Sequence, residues 1–264
     1  MVKNIAVRSM SMWRKGVPYT TPGVGDRIHA VLFAQKYADA HQCEVVLHLT
    51  SDKYGKQAKK DTWAQLSRMT SYRVKITAHP VCGLSEPDWI EYLKSKGLKD
   101  VQTYYYKDWV ELQPLGPVTG MDLIDADEYL TESPGLNPVD CSNHIALPQK
   151  YVTVQWDSAD KSRQLSPILR NKVENEYRMK GCDLVVVGGE ARSKYLQTSL
   201  EHVGFCMSHS EGHVGIDSGM LHLASLYVPW NRLDIYNAFG NIQGKSSHHV
   251  YRFKKHGAKL NTYI

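Results

Sequence analysis

The chain has 264 residues, of which 42% are hydrophobic, and a formal net charge of +5. That is enough for two α/β domains of about 120 residues each with real cores, while no apolar run reaches the roughly 18 residues of a membrane span. The start, MVKNIAVRSMSMWRKG, lacks a signal-peptide core, and the five cysteines are scattered without a C-x-x-C pair; free thiols in a reducing cytoplasm (a host's, if the source is viral) are expected over a disulfide frame or a zinc site.

Taken in order, Lys3–Met10 predicts a first strand, and Ser11–Val24 a long loop holding Trp13, Arg14 and Lys15. Gly25-Asp26 then opens a helix whose apolar residues Ile28, Val31, Leu32 and Ala38 give one buried stripe. EVVLHL, Glu44–Leu49, is a second strand, so the chain begins β–α–β, the unit of a parallel sheet. Arg73–Thr77 reads as a strand, Pro87–Lys96 as a helix ending at Gly97, and Thr103–Trp109, with three consecutive tyrosines, as a further strand or an acceptor-binding segment. Glu132–Pro148 contains three prolines and reads as a linker. The expected division is 1–145, 146–244 and a basic tail, 245–264, that packs back on the first domain.

YVTVQW, Tyr151–Trp156, starts a second sheet, and the polar run Asp157–Pro167 leads into a helix from about Ser166 to Lys180. DLVVVGG, Asp183–Gly189, is an apolar strand ending in two glycines, with Glu190 next; Ser193–His209 is helical. Gly212–Tyr227, GHVGIDSGMLHLASLY, gives a buried strand, a tight turn at Asp217-Ser218-Gly219 and a helix start. Asp and Ser oxygens can accept the unpaired N–H groups of that first turn. The same N–H groups, at the positive end of the helix dipole, can instead receive a phosphate. Gly219 removes the side chain that would hold a ligand off the backbone, and His222 lies one turn further on the same face. Leu233–Tyr236 reads as the last strand.

Charge is unevenly placed. Met1–Gly25 has four basic residues and no acid, Lys53–Lys75 has seven against Asp61 alone, and Lys245–Ile264 has five and no acid. Such clusters are solvated faces or footprints of a polyanionic partner. His248, His249 and His256 have no Cys or carboxylate close by at ligand spacing, so no metal is expected there.

Four stretches, Gly23–Asp26, Asp157–Arg163, Gly188–Glu190 and Gly212–Ala224, together resemble the GT-B glycosyltransferases of family nine, the heptosyltransferase-like enzymes. The resemblance implies two Rossmann-like domains facing across a cleft, and inverting transfer of a sugar from a nucleotide diphosphate sugar to an acceptor hydroxyl. It implies Asp26 as general base and Lys161, with Arg163 as a second candidate, as the cation on the donor phosphates. Gly189 would let the backbone approach the donor and Glu190 would bind its ribose. Asp217, Ser218, Gly219 and Met220 would cradle the diphosphate, and His222 would contact phosphate or brace the turn. It also implies no metal and no other cofactor. The segment before Gly23 is longer and more basic than the family pattern. That makes Trp13, Arg14 and Lys15 candidates for acceptor binding and leaves two acceptors open, a saccharide or a hydroxymethylated pyrimidine in DNA. Outside transferases, a sugar-nucleotide epimerase or a non-catalytic nucleotide-binding protein of the same fold also fits.

Overall fold

The fold is that of a computed structural model. It describes residues 2–8, 12–14, 17–19, 24–50, 64–70, 73–79, 81, 84, 86–98, 100–107, 111–114, 124–125, 136–157, 163–188, 199–237, 253–254 and 257–262. The chain divides into two compact units, Met1–Asn137 and Pro138–Ile264.

In the first unit, β1 (Val2–Arg8) is followed by the short strands β2 (Met12–Arg14) and β3 (Val17–Tyr19), then α1 (Val24–Ala40), β4 (Glu44–Thr50) and β5 (Val74–His79). Next come α2 (Glu86–Ser95), β6 (Val101–Lys107), β7 (Glu111–Pro114) and β8 (Ile124–Asp125). The sheet order is β5-β4-β1-β6-β7-β8. Its first four strands are parallel, and the pairs β6–β7 and β7–β8 are antiparallel. The stretch read as one loop, Ser11–Val24, contains the antiparallel pair β2–β3. The expected single stripe on α1 is also corrected: Arg27 through Gln35 are all buried, including His29 and Gln35. A helix covered on all sides belongs to the interior.

The opposite periodicity serves β4. Val45, Leu47 and Leu49 are buried on one face, and His48 is buried on the other. There His48 Nδ1 lies 2.9 Å from His79 Nε2, and His48 Nε2 lies 3.1 Å from Asn4 Oδ1. An amide oxygen only accepts, so His48 donates from Nε2 to Asn4 and must accept at Nδ1 from His79. The rings of Trp89 and Tyr92 on α2 meet His79 edge-on, at 5.6 and 5.5 Å between centroids.

The second unit contains β9 (Tyr151–Val154), α3 (Pro167–Met179), β10 (Asp183–Val186), α4 (Leu200–Ser208), β11 (His213–Ile216), α5 (Gly219–Tyr227), β12 (Leu233–Asn237) and β13 (Lys259–Thr262). All five strands are parallel, in the order β10-β9-β11-β12-β13. Every residue of β9 and β11 is buried, as expected for central strands covered on both faces. Val152, Val154, Val214, Ile216 and Tyr236 form a core with Val173 of α3.

Leu233–Tyr236 is therefore not the last strand, because β13 adds beside it. Buried Asp234 binds β13 through Lys259 Nζ at 3.3 Å and through the Asn261 amide, and it accepts from Tyr177 Oη at 3.2 Å. Phe253, fully buried, meets Trp230 edge-on at 4.9 Å. The described part of the basic tail thus packs within the second unit.

His213 is buried in β11, its Nδ1 3.0 Å from Thr153 Oγ1. A Cβ at Gly215 would sit 2.5 Å from His213 Nε2. Gly215→Ala is expected to cost about 1–3 kcal/mol, as overpacking does, and His213→Ala in the same chain should recover part of it. Urea unfolding of the single and double variants checks this; additive losses would show that the ring and the new methyl do not collide.

Candidate functional site

Numbered within the second unit, the strand order is 2-1-3-4-5. The connection after β9 moves to one side of it, and the chain then returns to its other side for β11. In open parallel sheets ligands bind outside the carboxyl ends of the strands where this reversal occurs. Here that place lies between β9 and β11, and the chain leaving those strands supplies Gln155–Asp157, Arg163 and Asp217–Met220.

These residues are tied to one another. Ser218 is the N-cap of α5: its Oγ accepts from the Met220 N–H at 3.2 Å and donates to Gln155 Oε1. Gln155 Nε2 donates to the Asp157 carbonyl at 2.9 Å. Arg163 Nη1 donates to the Asp217 carbonyl at 3.1 Å and lies 3.9 Å from Asp217 Oδ2. Asp217 is only 4% exposed, so it faces protein and Arg163 holds the turn. Gly188, just past β10, has φ +69°, and a Cβ there would sit 2.9 Å from Met220 Cγ. Glycine is required for both reasons, and the close approach sets the end of β10 against the first turn of α5. His222 is buried one turn further in, its carbonyl accepting from Ser225 Oγ at 2.8 Å and its ring 6.1 Å from Phe253.

Of the residues expected from sequence, Arg163, Asp217, Ser218, Gly219 and Met220 come together at this corner, with His222 behind it. Asp26 lies in the first turn of α1, and Trp13 and Arg14 lie in β2, by their backbone; their side chains are outside the described residues. Lys15, Lys161, Gly189 and Glu190 are also outside them. Sequence reading missed Gln155 and Arg170. Gln155 carried one signal, an amide at the end of the apolar run YVTVQW. Arg170 is one of many charged residues on a polar helix and carried none.

No protein-family model matches this chain, and no curated protein matches it in sequence. Solved structures do match. The glycosyl transferase family 9 from Veillonella parvula is 13% identical with a TM-score of 0.54, over 99% of this chain and 85% of that one. E. coli heptosyltransferase WaaC with ADP is 13% identical with a TM-score of 0.52, over 98% and 100%. E. coli ADP-heptose lps heptosyltransferase II is 10% identical with a TM-score of 0.54, over 99% and 90%. TibC, the iron-containing dodecameric glycosyltransferase from enterotoxigenic E. coli H10407, is 13% identical with a TM-score of 0.50, over 89% of this chain. This chain spans 58% of the length of TibC. These likenesses show the fold, two Rossmann-like units of GT-B type.

TibC also corrects one expectation. The resemblance implies no metal and no other cofactor, but TibC is iron-containing. Absence of a metal is therefore not a property that comes with this architecture. Among the described residues of the present chain, no group of three or more His, Cys, Asp or Glu is placed to hold a metal ion. The described residues do not fit an iron centre.

Proposed function

We propose, for a chain with the fold of the family-nine, heptosyltransferase-like glycosyltransferases, that it transfers a sugar from a nucleoside diphosphate sugar to an acceptor hydroxyl. The observation that carries this reading is the braced corner at the carboxyl ends of β9 and β11. There the start of α5 is held by Ser218, Gln155 and Arg163. Backbone N–H groups at such a helix start, with its dipole, suit a diphosphate. They suit it better still as the diphosphate gains charge on leaving, and fixed donors aimed at growing charge lower a barrier.

In this reading the acceptor oxygen attacks the anomeric carbon from the side opposite the diphosphate. The carbon–oxygen bond to the diphosphate breaks, the configuration inverts, and the Asp26 carboxylate takes the proton of the acceptor hydroxyl. Lys161 neutralises the phosphates, while Gly189 and Glu190 meet the ribose side of the donor. Trp13, Arg14 and Lys15 face the acceptor. The three basic stretches favour an acceptor that carries negative charge, a phosphorylated saccharide above all.

A thermal-shift panel of ADP-, UDP- and GDP-linked sugars tests the donor. A ligand present at about 100 times its Kd stabilises by about 2.7 kcal/mol, which is a rise of several degrees. Lack of any shift across the panel, with no sugar released from any donor, sinks the proposal. Interconversion of a donor with no acceptor present assigns the chain to the epimerases instead. Binding of duplex DNA that weakens steeply as salt rises moves the acceptor to DNA.

A further inference from the structure

Arg170 lies in the first turn of α3, which Ser166 caps and Pro167 begins. Its guanidinium reaches back to the chain that leaves β9. Nε donates to the Leu165 carbonyl at 3.0 Å, and Nη2 donates to the Trp156 carbonyl at 3.3 Å and to Asp157 Oδ1 at 2.5 Å. Two acceptors lie before residues 158–162 and one lies after them. A single planar cation therefore fixes how far apart the chain leaves the sheet and enters the helix, which a point charge on a flexible stem could not do.

The contacts continue from there. Asp157 is held again at its carbonyl by Gln155 Nε2, and Gln155 Oε1 takes the Ser218 hydroxyl. Ser218 follows Asp217, whose carbonyl takes Arg163 Nη1. Arg163 is two residues from Leu165, which returns to Arg170. The ring is closed: Arg170, Asp157, Gln155, Ser218, Asp217, Arg163, Leu165. It joins the chain after β9 to the start of α5, the two elements assigned above to the donor diphosphate.

We propose that Arg170 is a positioning residue for the diphosphate site, holding the chain after β9 in register with the Asp217-Ser218 turn. This rests on the sugar-transfer reading. Arg170 and Asp157 side chains are 27% and 31% exposed, and ion pairs that water reaches contribute little to global stability. The effect of removing the clamp is therefore local.

The test compares the full-length protein with Arg170→Gln and Arg170→Lys. It uses hydrogen exchange at the amides of residues 169, 170 and 220, which donate to the Ser166 hydroxyl, the Ser166 carbonyl and the Ser218 hydroxyl, together with thermal unfolding and calorimetric titration with inorganic pyrophosphate and with ADP. In both variants those three amides should exchange faster while Tm moves by no more than a degree or two. Pyrophosphate and ADP should both bind about tenfold more weakly, the scale of a small misplacement of binding groups. Adding Asp157→Asn to Arg170→Gln should cost little more, because the two side chains act as one unit. Unchanged exchange at the three amides overturns the clamp whatever else binds. Faster exchange with undiminished pyrophosphate affinity overturns its positioning role, as does a general collapse of Tm. Failure of the unaltered protein to bind either probe removes the sugar-transfer reading, and the role of Arg170 in it, while the exchange result still judges the clamp.

Discussion

Asp26→Asn is expected to lower the rate of sugar transfer by about 10²–10⁴-fold, the range for a lost general base, with nucleotide affinity within about twofold of the unaltered protein. The separation follows from where the two functions reside. Asp26 is the third residue of α1, in the first unit. The corner proposed to hold the diphosphate lies in the second unit, on β9, β11 and α5. Asparagine keeps the shape of aspartate and can still accept N–H groups of a helix start, but it cannot take a proton from a hydroxyl. Single-turnover transfer and a separate titration with ADP distinguish the cases. A parallel loss in both, or a fall in Tm of many degrees, would make Asp26 a residue that shapes α1 and remove it from the chemistry.

The second large effect is acid lability in both units. Burial alone pushes the His213 imidazole down to about 3. Burial, with the neighbouring His79 adding to it, pushes His48 down to about 4. His79 is lowered too, first by burial and then by the Lys96 ammonium. An unfolded histidine titrates near 6.5, so below that pH the unfolded chain binds protons that the folded one refuses. The sign is therefore fixed. Stability is full above about pH 6.5 and falls as pH drops toward the folded values. At pH 5 His213 and His48 have each cost about 2 kcal/mol, a large share of the roughly 5–15 kcal/mol that a domain has. Urea midpoints at pH 7.5, 6 and 5 should decline accordingly. His213→Gln should make the decline shallower by about one proton in the second unit. A flat profile from pH 7 to 5 would mean that water reaches these rings.

The parallel strands were legible because strands buried on both faces read as short apolar runs, as in EVVLHL and YVTV. The corner at Asp217–Met220 was legible for a local reason: cap, turn and helix start follow one another in the chain. The rest depends on partners far away. β2 and β3 have three residues each, one of them Pro18, and show no alternation to read. β13 is the polar run KLNT, which becomes a strand because buried Asp234 needs Lys259 and Asn261. The polar residues of α1 suggested a wet face, yet Arg27, His29 and Gln35 are covered. Gln155 and Ser218 meet across 63 positions, a distance no motif records.

The order of synthesis gives β13 a further meaning. Strands β9 to β12 can pair once residue 237 has left the ribosome, but their last neighbour is encoded more than twenty positions later. In that interval the growing chain carries β12 as an open edge with Leu233 and Ile235 along it, a template on which the strand of another molecule can add. Slow codons between 237 and 259 would lengthen that exposure and favour exchange of the terminal strand between neighbours on one polysome, whereas hastening them would keep each copy to itself.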